Sequence, residues 1–171
     1  MSPLASNMQT MLKRQLYSFL LPFTATLVVP AVLLWIFPPD PVGFAVLRFI
    51  LGMLLIATGF VLLVTSIGLF LVVGQGTLAP WDPPQTLVIK GVYQHTRNPM
   101  LSGVNSILLG QSILLGSLAL LAWTVFFFVL NTAYFLLSEE PALQKRFGAS
   151  YLIYKKHVPR WFPRLTPWQP P

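Results

Sequence analysis

Three long stretches of this chain carry no charged side chain: residues 15–39, 49–81 and 98–138. A helix needs about 20 predominantly apolar residues to cross the hydrocarbon core of a bilayer. The first stretch predicts a span over about 17–37, ended by Pro38-Pro39-Asp40-Pro41. Pro22 and Pro30 lie inside it, where a membrane helix tolerates them and a kink is expected. A basic pair, Lys13-Arg14, precedes it as in a signal peptide. The run is longer than a signal's apolar segment, though, and it ends in Trp35, Phe37 and prolines without a small-residue cleavage site, so a retained span is the better reading. A second span is predicted over 43–73, longer than the hydrocarbon requires at ~1.5 Å per residue. Arg48 near its start either snorkels to the interface or pairs with an ion or lipid headgroup. Gly52, Gly59 and Gly68 are places where another helix can approach closely. The third stretch holds forty-one residues and splits at Gly110–Ser117 into spans of about 99–116 and 118–138, a tight hairpin with almost no loop. Asn98 is placed to cap the first arm, and Pro99 suits its first turn.

Between and after the spans the chain turns polar. Residues 75–97 are rich in proline, with Trp81 as an interfacial anchor, Gln85–Lys90 extended and Gly91 in a turn. Pro141–Phe147 predicts a short amphipathic helix that Gly148 ends, with Tyr151 and Tyr154 then sharing a helical face. The tail from Trp161 has too many prolines for a helix, and its aromatics suit an interface.

Composition sharpens this picture. Of 171 residues, 55% are hydrophobic and 9% charged, against about 25% charged in soluble domains. That excludes a soluble enzyme, a disordered tail and a disulfide scaffold. The chain reads as a single domain, an all-α integral membrane protein of four transmembrane helices with a C-terminal interfacial helical segment. Cysteine is absent, which removes disulfides, cysteine zinc sites and cysteine nucleophiles. Two histidines and four acids leave no donor set for a metal, and none is expected. The net charge of +7 follows topology. With four spans, ten of the eleven basic residues fall on one side, so both termini and the central loop are expected in the cytoplasm, in the plasma or inner membrane if the source is prokaryotic. The basic residues flank spans and form no nucleic-acid module, so no nucleic-acid partner is expected. Nothing in the sequence fixes an oligomeric state.

The same topology brings two polar clusters to one membrane face, because they sit at opposite ends of the 98–138 hairpin. One runs from Lys90 to Pro99 and the other is Ser138-Glu139-Glu140-Pro141. Adjacent glutamates straight after an uncharged span are costly unless paired or solvated. By themselves they fit either helix ends with ordinary salt bridges to Arg97 or Lys145, or a site. His95 reads as a solvated loop histidine. A non-catalytic membrane scaffold, a transporter subunit and a sterol-reductase-like membrane oxidoreductase stand among the open readings.

Gly91, Tyr93, Arg97, Asn98 and Pro99, followed across the hairpin by Glu139, Glu140, Phe147, Gly148, Tyr151 and Tyr154, resemble the signature of a family of membrane methyltransferases. These are the enzymes related to isoprenylcysteine carboxyl methyltransferase and bacterial phospholipid N-methyltransferases. The resemblance covers about residues 85–164. Asn98 stands where the family often has histidine, and Leu101 where it has tyrosine. What the resemblance implies is S-adenosylmethionine as methyl donor, held at the cytosolic interface by elements 85–98 and 139–164. Gly91, Tyr93, Arg97, Asn98, Pro99, Leu101, Glu139, Glu140, Tyr151 and Tyr154 would be the binding residues, with Arg97 and Glu140 in the catalytic role. A glutamate, Glu140 in preference to Glu139, would take the donor's ammonium and an arginine its carboxylate. Tyr93, Leu101 and Tyr151 or Tyr154 would line an adenosine slot. The acceptor would be amphiphilic: a prenylcysteine carboxylate, a lipid amine, or a small hydrophobic thiol or amine.

Overall fold

The computed structural model describes residues 20, 22–39, 43–74 and 85–170. The expectations for Lys13, Arg14, Asp40, Trp81 and the proline-rich residues 75–84 lie outside these. Among the described residues five helices follow in order: α1 Thr24–Ile36, α2 Ala45–Leu69, α3 Pro99–Leu115, α4 Leu118–Tyr134 and α5 Glu140–His157. A 3₁₀ turn at Gly91–Gln94 precedes α3. No strand occurs among the described residues.

Among the described residues two helical runs are long and apolar enough to cross a membrane: α2, and the run Leu118–His157 in which α4 passes into α5 and which kinks at Gly148. α1 and α3 are shorter apolar helices. The sides of α2 and α4 carry large exposed apolar side chains, among them Phe49, Leu54, Phe60, Val125 and Val129. Such a surface is far larger than a water-facing protein tolerates, and it belongs against lipid.

The expected end of a span at residue 138 is not a helix end. The chain winds on through Pro141 into the helix expected from there. Proline lacks an N–H and its ring crowds the preceding turn. The helix makes room by widening to a π turn at Phe135–Glu139, in which the Glu140 N–H reaches back to the Phe135 carbonyl. The same device lies before Pro30, where the π turn Thr24–Val28 lets Val29 reach Thr24. Pro30 cannot serve the carbonyls of Ala25 and Thr26. Trp123 Nε1 donates to the first at 3.0 Å and Gln111 Nε2 to the second at 3.0 Å. The proline-freed carbonyls thereby dock α1 onto the hairpin.

The hairpin itself turns as expected. Gly116 adopts a left-handed conformation (φ 63°) at the end of α3, and Ser117 caps α4 by accepting the Leu120 N–H. α2 and α3 pack antiparallel through facing glycines. A Cβ on Gly59 would stand 2.6 Å from the Gly103 carbonyl oxygen, and one on Gly110 2.7 Å from that of Gly52. The seven-residue spacing of each glycine pair keeps both on one seam. Ser106 Oγ closes it with a 2.8 Å bond to the Leu55 carbonyl. Gly68, by contrast, faces no neighbour among the described residues. At the far end of α2, Arg48 has its Nε and Nη1 buried without a partner among the described residues.

Beyond Gly148, whose backbone leaves helical geometry (φ 55°, ψ −129°), a second helical segment carries Tyr151, Tyr154 and Val158 into a small apolar core. Leu87, Ile89, Leu143, Phe147 and Trp168 pack around it. The expected extended segment before Gly91 is irregular backbone, with Val88 buried.

Candidate functional site

Two clusters distant in sequence meet at one end of the bundle, as the hairpin requires. What binds them together is the tail. The Arg97 N–H donates to the Pro159 carbonyl at 2.9 Å, Thr96 Oγ1 to the Arg160 carbonyl at 2.7 Å, the Arg164 N–H to the His95 carbonyl at 3.0 Å, and the Trp168 N–H to the Gln94 carbonyl at 3.1 Å. His95 is no solvated loop residue: its Nδ1 lies 2.7 Å from the Arg164 carbonyl oxygen and fastens loop to tail. Trp161, expected at an interface, packs its ring 4.9 Å from that of Phe128 on α4.

At the centre stands Glu140, 3% exposed. Its Oε1 accepts from Arg97 Nη1 at 2.8 Å and from Arg160 Nε at 2.8 Å, and its Oε2 meets Lys155 Nζ at 2.8 Å. Burial by itself raises this carboxyl, but the hydrogen bonds from Lys155 and Arg160 and the charge of Arg97 outweigh it and hold it below the ordinary carboxylate range. One carboxylate thus gathers three cations from three segments. Arg97 is fixed further by Nε to the Val158 carbonyl, 2.9 Å, and by Nη1 to the Tyr151 hydroxyl, 3.2 Å. Its Nη2 keeps no partner among the described residues.

Glu139 differs in every respect. Its side chain is half-buried and has no hydrogen-bond or ion-pair partner among the described residues. Burial, and then the negative charge of Glu140 next to it, push its pKa up to about 7. Burial chiefly, and the charge of Glu139 second, raise the Tyr93 phenol. Because Pro141 has no N–H and the Glu140 N–H goes to Phe135, the Leu136 carbonyl keeps no helical donor. Leu136, Glu140, Pro141, Gln144, Lys145 and Lys155 line an open cavity of about 480 Å³.

The remaining motif residues have distinct places. Gly91 takes a positive φ of 55° at the start of its turn, against Leu69 at the end of α2. Asn98 precedes α3 but makes no capping bond, and its buried Nδ2 has no partner among the described residues. Pro99 opens α3 as expected. Leu101 is half-buried on the first turn of α3. Tyr151 and Tyr154 are buried, with ring centroids 6.5 Å apart in an edge-on contact, and the Tyr154 hydroxyl donates to the Tyr93 carbonyl at 2.6 Å. They form the floor of the cluster more than an open slot. Lys155 and Arg160 belong to the cluster although neither was singled out as a site residue in the sequence. Their signal was basic residues following the paired glutamates, a pattern that an ordinary solvated helix face shares.

An apolar helical body with a buried, multiply paired ionic cluster at one end is that of a membrane protein. The family model for phospholipid methyltransferase matches residues 47–150, more than half of the chain, and the chain belongs to that family of membrane methyltransferases. No curated protein and no solved structure gives a match.

Proposed function

We propose that this protein transfers a methyl group from S-adenosylmethionine to an amphiphilic acceptor at the cytosolic face of the membrane. Four spans and cytoplasmic termini complete the reading. The observation that carries it is the division of labour between adjacent carboxylates. Glu140 is saturated by three cations and fixes Arg97. Glu139 has none among the described residues and stands beside a carbonyl that Pro141 has released.

The residues present fit this donor. Glu139 and the Leu136 carbonyl would hold an ammonium, and Arg97 Nη2 and Asn98 Nδ2 a carboxylate. Glu140 then acts as a positioning residue, through Arg97. Tyr93 and Leu101 remain for the adenosine side, with Tyr151 and Tyr154 supporting them from below. When bound, the donor supplies an electrophilic sulfonium methyl for in-line displacement. The protein's part is alignment and exclusion of water. A carboxylate or thiolate acceptor needs no base, and an amine needs only to lose a proton.

Supplying radiolabelled donor to membranes containing wild-type or Arg97→Ala protein, and partitioning the product, tests the proposal. Arg97-dependent label is expected in the lipid-soluble or protein-bound fraction. Label confined to water-soluble product would refute an amphiphilic acceptor.

A further inference from the structure

The tail that fastens the site lies on the lipid-facing flank of the bundle. Trp161 packs its ring 4.9 Å from that of Phe128 and 6.4 Å from that of Phe135. Phe128 and its neighbours Val129 and Leu130 are exposed on the outer side of α4. Eleven residues, roughly 16 Å of helix, separate Phe128 from Glu139, where charge resumes along the chain. The indole therefore reaches past the ionic cluster toward hydrocarbon and ties the tail to that flank.

Beside this anchor two apolar side chains turn outward. Phe162 is 86% and Leu165 98% exposed, while Arg160, Trp161, Arg164 and Trp168 are half-buried. Water gives such a pair nothing, whereas a lipid surface takes it. The backbone suits that surface too. Pro159, Pro163 and Pro167 have no N–H, and the Arg164 and Trp168 N–H groups are spent on the His95 and Gln94 carbonyls. The Pro159, Arg160 and Arg164 carbonyls are met by the Arg97 N–H, Thr96 Oγ1 and His95 Nδ1. Each pairing removes a peptide group that would otherwise demand water. Lys155, Lys156, Arg160 and Arg164 flank the two tips in sequence, a charge that complements lipid phosphates.

We infer that residues 159–168 are a membrane-docked strap: Phe162 and Leu165 insert into the leaflet at the site's end of the bundle, and this insertion holds the strap closed on the loop that carries Arg97. The partner is the bilayer surface itself. The inference goes beyond the methyltransferase reading and does not depend on it. What the strap holds is the frame of the site. Arg160 reaches Glu140 from it, and the Val158 and Pro159 carbonyls at its start fix Arg97. Withdrawn from lipid, the strap keeps those hydrogen bonds and its tryptophan contacts but loses the anchorage of its two tips. Lipid contact is thus a condition for the geometry of the ionic cluster.

The test uses the full chain in nanodiscs of phosphatidylcholine and phosphatidylglycerol. The chain has no cysteine, so a single introduced cysteine carries a nitroxide at one known place. Phe162→Cys and Leu165→Cys are labelled, with Val129→Cys on α4 as the lipid-facing standard. Power-saturation measurements are expected to find all three more accessible to oxygen than to a water-soluble nickel chelate. Tail positions more accessible to nickel would stand in water, open to a soluble partner, and would overturn the inference. Hydrogen exchange then reads the clamp. Phe162→Ser combined with Leu165→Ser removes exposed side chains only, so exchange in α2 and α3 should stay as in the wild type. The peptides carrying Arg97, Arg164 and Trp168, whose N–H groups join loop and strap, should exchange about tenfold faster. Phe162→Leu combined with Leu165→Phe keeps apolar tips and should exchange like the wild type. Unchanged exchange in the serine protein would overturn the coupling, and so would an acceleration shared equally by α3 or by the leucine–phenylalanine protein.

Discussion

Exchanging the two adjacent glutamates for glutamine, one at a time, separates a residue that holds the fold from one that faces a ligand. In Glu140→Gln the buried Arg97 and Arg160, with side chains 10% and 19% exposed, lose the charge that neutralises them. Lys155, 40% exposed, is screened by solvent and adds little. Breaking a buried pair by removing one partner costs about 3–5 kcal/mol. Glutamine keeps the shape and one acceptor oxygen, so the lower end, about 3 kcal/mol, is the expected loss. At ~2–4 °C per kcal/mol in a domain of this size, the unfolding midpoint should fall by about 6–12 °C. In Glu139→Gln no ion pair is lost. A carboxyl raised to about 7 destabilises the fold when ionised, since above the unfolded value the native state binds the extra proton. Thermal stability at pH 8 should therefore hold or rise. Donor affinity should instead drop by about 1.5–3 kcal/mol, the worth of a charged hydrogen bond. Circular dichroism melts and calorimetry on detergent-solubilised protein read the two quantities side by side. A Glu140→Gln protein that melts like wild type, or a Glu139→Gln protein that binds donor like wild type, would refute the assignment.

Further expectations follow from the same geometry. Donor affinity should rise with pH through about 7 as Glu139 ionises beside Glu140 and Tyr93, and calorimetry across pH 6–8 should lose this dependence in Glu139→Gln. Because Glu140 is held below its ordinary range, its contribution to stability is present above the unfolded value and is lost as pH falls through its lowered folded value, which acid melts of wild type and Glu140→Gln should show. Gly59→Ala places a Cβ 2.6 Å from the Gly103 carbonyl oxygen and should destabilise by about 1–3 kcal/mol, whereas Gly68→Ala, which meets nothing, should be neutral or stabilising in the same melts. Reporters placed after Pro171 and near Asp40 should report opposite sides of the membrane, and agreement between them would overturn the four-span topology.

The uncharged stretches, the hairpin and its turn were all legible in the sequence, because hydrocarbon length and helix chemistry are local properties. The pairing of Lys90–Pro99 with Ser138–Pro141 was legible too, since a tight hairpin must return its ends to one face. The family was carried by Gly91, Tyr93, Arg97 and the paired glutamates in that order. Which glutamate holds the fold was not legible. Glu139 and Glu140 are neighbours of identical chemistry, and their difference arises only when Arg97, Arg160 and Lys155 converge from other segments on Glu140. The span read as ending at residue 138 because the charges and Pro141 follow at once, while the π turn Phe135–Glu139 that carries the helix past them shows only in the structure. Likewise the glycines could be seen, but not that Gly52 and Gly59 are pressed against another backbone while Gly68 meets nothing among the described residues. Local chemistry writes helices and turns into a sequence. Burial, ion pairing and the partners left wanting are decided by distance in space, and only the tertiary structure sets those.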